Sequence, residues 1–239
     1  MNTIKIDHAG VKMVAHRGVS GLELENTNAA FVAAGNRSYY GIETDVHVTL
    51  DGKFVCFHDD NTGRVAIDNM VVEETTFDTL RSLILADKDG KKGRTDLRIP
   101  TLQEYIQICR KYEKEAVLEL KNAFSEEDIV KIIDIIRGEE YLDRVTFISF
   151  AFDNMTCLRK LLPQQSCQFL TVKYDDELLE TLVKHHLDLD IYYKALNAEN
   201  ISALHAHGIK VNCWTVDDPE EAKRLIADGV DFITSNILE

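Results

Sequence analysis

Gly41-Ile42-Glu43-Thr44-Asp45-Val46-His47-Val48-Thr49-Leu50-Asp51-Gly52-Lys53-Phe54-Val55-Cys56-Phe57-His58-Asp59 reads as two strand-like runs about one Asp-Gly pair. Asp-Gly favours a two-residue type I′ hairpin, because both central positions of that turn need positive φ. Leu50 then pairs with Lys53, and the same register sets Asp45 directly across from His58 with both side chains on one face. Glu43 and Asp45 are two residues apart, so a strand aims both carboxylates to one side. Two acids sharing a face attract a hard divalent cation.

Outward from this arm, β-branched apolar runs at 12–15, 41–48, 54–57, 116–120, 145–150, 168–172, 187–192, 210–216 and 231–234 alternate with helical patterns at 26–34, 102–112, 126–136, 153–161, 177–185, 199–207 and 219–227. Such alternation indicates a parallel sheet with helices between its strands. Nine runs exceed by one the eight of a closed barrel, and the antiparallel hairpin arm accounts for the surplus. The expected fold is α/β, an irregular TIM (β/α)8 barrel with a hairpin arm. Gly35, Gly138, Gly208 and Gly229 follow helical patterns and read as left-handed stops. Residues 61–98 break the rhythm with a basic, turn-rich stretch at 88–94 and one short helix near 77–85. They read as a small insertion after the third strand, within a single domain spanning 1–239. Loops at that end of a barrel build its site, so the insertion is either a lid or specificity element or a solvated excursion.

The 239 residues, 45% of them hydrophobic, suffice for the core of one such barrel. Asp and Glu outnumber Lys and Arg by 41 to 27, and the formal net charge of −14 argues against nucleic acid and anionic membrane surfaces as partners. A negative substrate must therefore be met by local cations. Residues 1–10 lack the apolar stretch of a signal peptide, and no later run reaches spanning length, so no stable membrane insertion is expected. Cys56, Cys109, Cys157, Cys167 and Cys213 are scattered and odd in number, as in a reduced, cytoplasmic protein. The oligomeric state stays open.

Chemistry-bearing residues cluster at strand ends. His16-Arg17-Gly18 follows the first run, and Glu119-Leu120-Lys121 closes the fourth with two charged groups on one face. Glu43, Asp45 and Glu119 make three carboxylates for one Mg²⁺ or Ca²⁺, with positions left for water and an anion. A phosphodiester suits such a site, its free oxygens lying between the cation, Arg17 and Lys121. His16 and His58 then divide the proton transfer, one as base and one as acid. Each residue alone has an inert structural reading; their convergence at the ends of separate barrel strands favours a site.

These residues carry a resemblance. His16-Arg17-Gly18, Glu25-Asn26-Thr27 with Ala30-Phe31, Gly41-Ile42-Glu43-x-Asp45-Val46, Thr49-x-Asp51-Gly52 and His58-Asp59 resemble the glycerophosphodiester phosphodiesterases. So do Ile99-Pro100-Thr101-Leu102, Glu119-Leu120-Lys121, Trp214-Thr215-Val216 and Gly229-Val230-Asp231, in order along nearly the whole chain. The resemblance implies a TIM barrel that hydrolyses a small-molecule glycerophosphodiester to glycerol 3-phosphate and an alcohol, with one bound Mg²⁺ or Ca²⁺. It places the acid and base on His16 and His58, the metal ligands on Glu43, Asp45 and Glu119, and the phosphate-binding cations on Arg17 and Lys121. It further implies that the hydroxyl next to the phosphate attacks first, giving a cyclic phosphate that water opens. Two positions depart from the family's habit: Glu23-Leu24 stands for Ala-Pro, and Thr234-Ser235-Asn236 for a terminal Thr-Asp.

Other residues carry less. Trp214 reads either as core or as the wall of the glycerol side of the pocket. Glu25, Asn26 and Thr27 precede an apolar helix and read first as caps, with support to His16 second. His47 reads as a spectator, and His185, His186, His205 and His207 as ordinary helix-end histidines. Phe150 and Phe152 read as substrate contacts or core. Two alternatives stand beside the hydrolase: a phospholipid lyase whose final product is a cyclic phosphate, and a non-catalytic phosphate-ligand binding barrel.

Overall fold

Eight parallel strands close into a ring in a computed structural model of the chain, which describes residues 2–91 and 93–239. In chain order the elements are β1 (Lys12–Ala15), α1 (Asn28–Gly35), β2 (Gly41–Val48), β3 (Phe54–Cys56), α2 (Phe77–Ser82), α3 (Leu102–Lys111), β4 (Glu115–Leu120), α4 (Glu126–Gly138), β5 (Val145–Ser149), α5 (Phe152–Leu161), β6 (Ser166–Thr171), α6 (Asp176–His185), β7 (Asp188–Tyr192), α7 (Ala198–Ala206), β8 (Val211–Trp214), α8 (Pro219–Asp228) and β9 (Phe232–Ser235). The ring order is β1-β9-β8-β7-β6-β5-β4-β2, and β1 closes it against β2 through Val14↔Gly41 and Ala15↔Ile42. β3 lies outside, antiparallel on β2. This is the irregular TIM barrel with a hairpin arm that the alternation predicts.

Strand period does the sorting. Ile42, Val46, Leu118 and Leu120 point outward into the main core beneath the helices, while Glu43, Asp45 and Glu119 alternate with them. A smaller cluster of Val14, Val117, Ile148, Leu170 and Phe232 packs together apart from that core. Thr101 and Glu104 form a reciprocal capping box at the start of α3, which accounts for Thr101-Leu102 after Pro100. Tyr105 on α3 then packs edge-on against Phe31 of α1 at 5.1 Å and donates to the Ile42 carbonyl at 2.7 Å, fixing the helices to β2.

Two expectations from the turns are corrected. The hairpin pairs Val46↔Cys56, His47↔Val55 and Val48↔Phe54, one residue off the predicted register, so Phe57 rather than His58 faces Asp45. The cause is the Asp51 side chain, which accepts from Thr49 Oγ1 at 2.7 Å and from the Phe77 amide at 2.9 Å. Those bonds support a three-residue loop in which Gly52, not Asp51, takes positive φ. Of the four glycine stops, Gly208 and Gly229 are left-handed, whereas Gly35 and Gly138 are the last helical residues of α1 and α4. Gly35 is needed for packing instead: a Cβ there would lie 2.4 Å from the Tyr112 ring.

The insertion builds a second core. Val55, Phe57, Val65, Val72, Leu80, Leu83, Leu85, Leu97 and Ile99 pack with Leu24 beside β3, and the helix expected near 77–85 is present as α2 but ends at Ser82, three residues short. Lys92, in the basic stretch, lies outside the described residues, as does Met1. Among the described residues, no helix is long and apolar enough to cross a membrane.

Candidate active site

The chain leaves β1 through His16 and turns at Arg17, whose φ of +53° is a left-handed conformation rare for a long side chain. The turn is held from both sides. The Arg17 amide donates to Glu43 Oε2 at 2.7 Å, and the Gly18 amide donates to the Glu43 carbonyl at 3.1 Å. Gly18 lies so close to α1 that a Cβ would meet the Ala30 carbonyl carbon at 2.6 Å. This geometry carries the Arg17 guanidinium to Glu25 at 2.7 Å and to Asp45 at 3.4 Å. Thr27 caps α1, but Asn26 does not: its amide donates to Asp45 Oδ2 at 2.8 Å and accepts from Thr44 Oγ1 at 2.7 Å. Asn26 and Glu25 thus brace the carboxylates and Arg17, where the sequence suggests caps.

Glu43, Asp45 and Glu119 each present an oxygen within 4.8 Å of the others, and all three are buried. Lys121 sits 3.0 Å from Glu119 and 3.4 Å from Asp45. Burial, then the charges of Asp45 and Glu119, raises the Glu43 carboxyl far above the carboxylate range. Burial followed by Asp45 pushes Glu119 up to about 8. Asp45 goes the other way: although burial opposes its charge, Arg17, Lys121 and the Asn26 amide hold it well below the usual range. Three buried oxygen donors so crowded that two resist ionisation are a donor set suited to a hard divalent cation.

Two imidazoles flank the carboxylates. His16 Nδ1 is 2.8 Å from Asn236 Oδ1, and burial followed by the Arg17 charge lowers its pKa to about 4. His58 Nδ1 is 2.6 Å from Asp59 Oδ1, and burial lowers this histidine too, against the pull of Asp45. Arg64, from the insertion, bonds Asp59 at 2.6 Å and Glu25 at 2.8 Å, and holds Asp59 near 2. His47 stays out of the cleft, with its ring nitrogens 3.2 Å from Glu73 and 3.3 Å from the His58 carbonyl.

These groups surround a cavity lined by His16, Arg17, Glu43, His58, Glu119, Lys121, Ile148, Phe150, Leu170, Asp190, Trp214 and Thr234. Seven of the eight residues singled out from sequence are in that wall, and Asp45 is bonded to two of them, Arg17 and Lys121. Trp214 stands in the cavity wall, edge-on to Phe150 at 5.7 Å, while Phe152 packs away from it on Phe169. Sequence reasoning missed Arg64, Asn236, Asp217 and Asp190. Two left a signal: Asn236 in the departure at Thr234-Ser235-Asn236, and Asp190 in the alternation of Asp188, Asp190 and Tyr192 on one face of β7.

Comparison with known proteins agrees with this geometry. The glycerophosphoryl diester phosphodiesterase family model matches residues 16–238. A glycerophosphodiester phosphodiesterase of Caldanaerobacter subterraneus subsp. tengcongensis is 30% identical over 233 residues, covering 94% of this chain and 93% of that protein. A phosphodiesterase of Oleispira antarctica, solved with the product sn-glycerol-3-phosphate, superimposes with a TM-score of 0.86 at 27% identity, over 94% of this chain and 92% of that one. A glycerophosphodiester phosphodiesterase of Parabacteroides distasonis gives a TM-score of 0.79 at 26% identity, over 99% and 94%. With barrel, strand-end residues and full-length similarity in agreement, the chain belongs to the glycerophosphoryl diester phosphodiesterase family of phosphoric diester hydrolases.

Proposed function

We propose that this chain hydrolyses glycerophosphodiesters to glycerol 3-phosphate and an alcohol, with one divalent cation, Mg²⁺ or Ca²⁺, and with His16 and His58 as the proton-transferring pair. The observation that carries this reading is a single cavity in which two imidazoles, Arg17 and Lys121 converge over three buried carboxylates. Glu43, Asp45 and Glu119 would hold the cation, which when bound supplies positive charge against the phosphate oxygens. Arg17 and Lys121 receive the remaining charge that builds on phosphorus in the transition state.

The roles of the histidines follow from their partners. Asp217 Oδ2 accepts from Asn236 Nδ2 at 2.6 Å, so the Asn236 amide oxygen is the atom turned toward His16. A carbonyl oxygen only accepts; His16 therefore carries its proton on Nδ1 and leaves the Nε2 lone pair free. That makes His16 the base, taking the proton from the glyceryl hydroxyl that attacks phosphorus. His58, beside ionised Asp59, gives its proton to the departing alkoxide. The cyclic phosphate then opens by the reverse traffic: His58 takes a proton from water, and His16 returns its own to the glycerol oxygen.

The whole chain works as one catalytic domain on this reading, with residues 61–98 supplying the rim through Arg64. Five cysteines without disulfides support a cytoplasmic setting. The test is release of glycerol 3-phosphate from glycerophosphocholine and glycerophosphoethanolamine with Mg²⁺, with Ca²⁺ and with chelator. Turnover that chelator abolishes is expected. Silence on both diesters from folded, cation-binding protein, or accumulation of cyclic phosphate as the final product, overturns the hydrolytic reading.

A further inference from the structure

The wall of the cavity opposite the carboxylates holds a group that the proposed reaction does not use. Asp190 lies on β7, which pairs Leu170 with Asp190 on one side and Asp190 with Asn212 on the other. Its polar neighbours satisfy one another: Asn212 donates to Gln168 at 3.1 Å and accepts from Thr234 at 3.2 Å. Asp190 is the exception. It is 2% exposed, it lines the cavity, and its Oδ1 has no hydrogen-bond partner among the described residues. Trp214 Nε1, in the same wall, is likewise buried and without a partner. Ile148 and Leu170 add apolar surface to the same wall, beside the indole of Trp214.

A buried polar group without a protein partner is costly, and in a ligand cavity a bound ligand can supply the partner in place of water. The pair offers one acceptor and one donor. A hydroxyl fits both, because it donates to a carboxyl oxygen and accepts from an indole N–H; an ammonium group has no lone pair for the indole. The apolar wall suits the carbon chain that carries that hydroxyl. Burial, then the charge of Glu119, also raises the Asp190 carboxyl toward its neutral form.

We propose that Asp190, with Trp214 Nε1, forms a subsite for the terminal hydroxyl of the glyceryl group, the one not next to the phosphate, and is the residue that selects glycerol over other vicinal diols. The ligand's identity rests on the reading given under Proposed function. The test is calorimetric binding, with Mg²⁺, of glycerol 3-phosphate and of 2-hydroxypropyl phosphate, which lacks only that hydroxyl. The wild-type protein should prefer glycerol 3-phosphate by about 10- to 100-fold, as expected when a buried acceptor is left unmet.

Asp190→Leu should bring the ratio of dissociation constants within about threefold of one, and Asp190→Asn, which keeps an acceptor, should restore part of the preference. The ratio is read within one variant, so loss of active fraction cancels; Asp190→Ala gives the same reading should leucine not be accommodated. A wild-type ratio near one, binding of neither ligand, or a preference that survives in Asp190→Leu or Asp190→Ala overturns the subsite. Parallel turnover assays separate the two readings. An Asp190-dependent preference in a protein that cleaves no diester upholds the subsite and sinks the hydrolase, while turnover with a ratio indifferent to Asp190 does the reverse.

Discussion

Asn236 meets His16 through its amide oxygen, 2.8 Å from Nδ1, because its amide nitrogen is committed to Asp217. Ser20 Oγ donates to the same oxygen at 2.5 Å, and Asp217 also accepts from the Ser235 hydroxyl and the Asn236 amide, so this amide is held from every side. Asn236→Ala frees the ring of His16 and lets the Nε2-protonated form compete. We expect kcat to fall by about 10- to 100-fold with KM changed far less, since the substrate-binding cations are untouched. Asn236→Asp places a carboxylate against the ring and should move the acidic limb of the pH–rate profile upward. Profiles of the two variants that superimpose on the wild type would remove Asn236 from the mechanism.

The three carboxylates make a separate prediction about metal. Glu43 is the acid most opposed to ionisation, by burial first and by Asp45 and Glu119 next. Glu43→Gln removes that repulsion and keeps an oxygen to accept from the Arg17 amide. Without divalent cation its melting temperature should match or exceed the wild type. With Mg²⁺ at about 100 times its dissociation constant, the wild type should gain about 2.7 kcal/mol, and the variant should lose most of that gain. Thermal melts with and without chelator decide it; equal Mg²⁺ responses would mean that Glu43 is not a ligand.

How far the sequence could be read depended on range. The alternation in Gly41–Val48 and Glu115–Leu120 is a local period, so the inward acids Glu43, Asp45 and Glu119 were legible without any tertiary information. The hairpin register was not, because Asp51 answers to the Phe77 amide, 26 residues away, as well as to its own turn. Asn26 looked like a cap because it precedes a helix; with φ at +51° it instead turns toward Asp45, and Thr27 takes the cap. Asn236 and Asp190 acquire meaning only when β9 meets β1 and β7 meets β8, since their partners or lack of them are set by ring closure.

Arg64 links the insertion to the site, and its effects should divide between stability and rate. Its side chain is 47% exposed, so its ion pairs with Glu25 and Asp59 should add under about 1 kcal/mol to stability. Asp59, however, is the partner of His58. In Arg64→Met the carboxylate loses its anchor, and we expect kcat to drop roughly tenfold with the melting temperature nearly unchanged. A variant with wild-type kcat would reduce Arg64 to a surface contact.

The lowered pKa of His16 makes stability depend on pH in a definite direction. In the unfolded chain the imidazole protonates near 6.5, and in the folded protein only near 4. Between those values the unfolded state binds more protons, so stability from this group is complete above about 6.5 and is lost as pH falls toward about 4. One proton contributes at most about 1.4 kcal/mol per pH unit across that window. Glu25 and Asp59, both held near 2 in the folded protein, lose their share later, as pH falls from their ordinary 4.5 and 3.8 toward about 2. The two windows are therefore separable. Urea midpoints from pH 8 to pH 4, taken without divalent cation, should show His16→Asn gaining on the wild type as pH falls, over a background common to both in which His58, lowered by burial, destabilises the folded protein toward acid while Glu43 and Glu119, raised by burial, stabilise it. Parallel curves for the two proteins would show that His16 protonates as readily in the folded state as in the unfolded one, and the neutral imidazole on which its role as base depends would have to be abandoned.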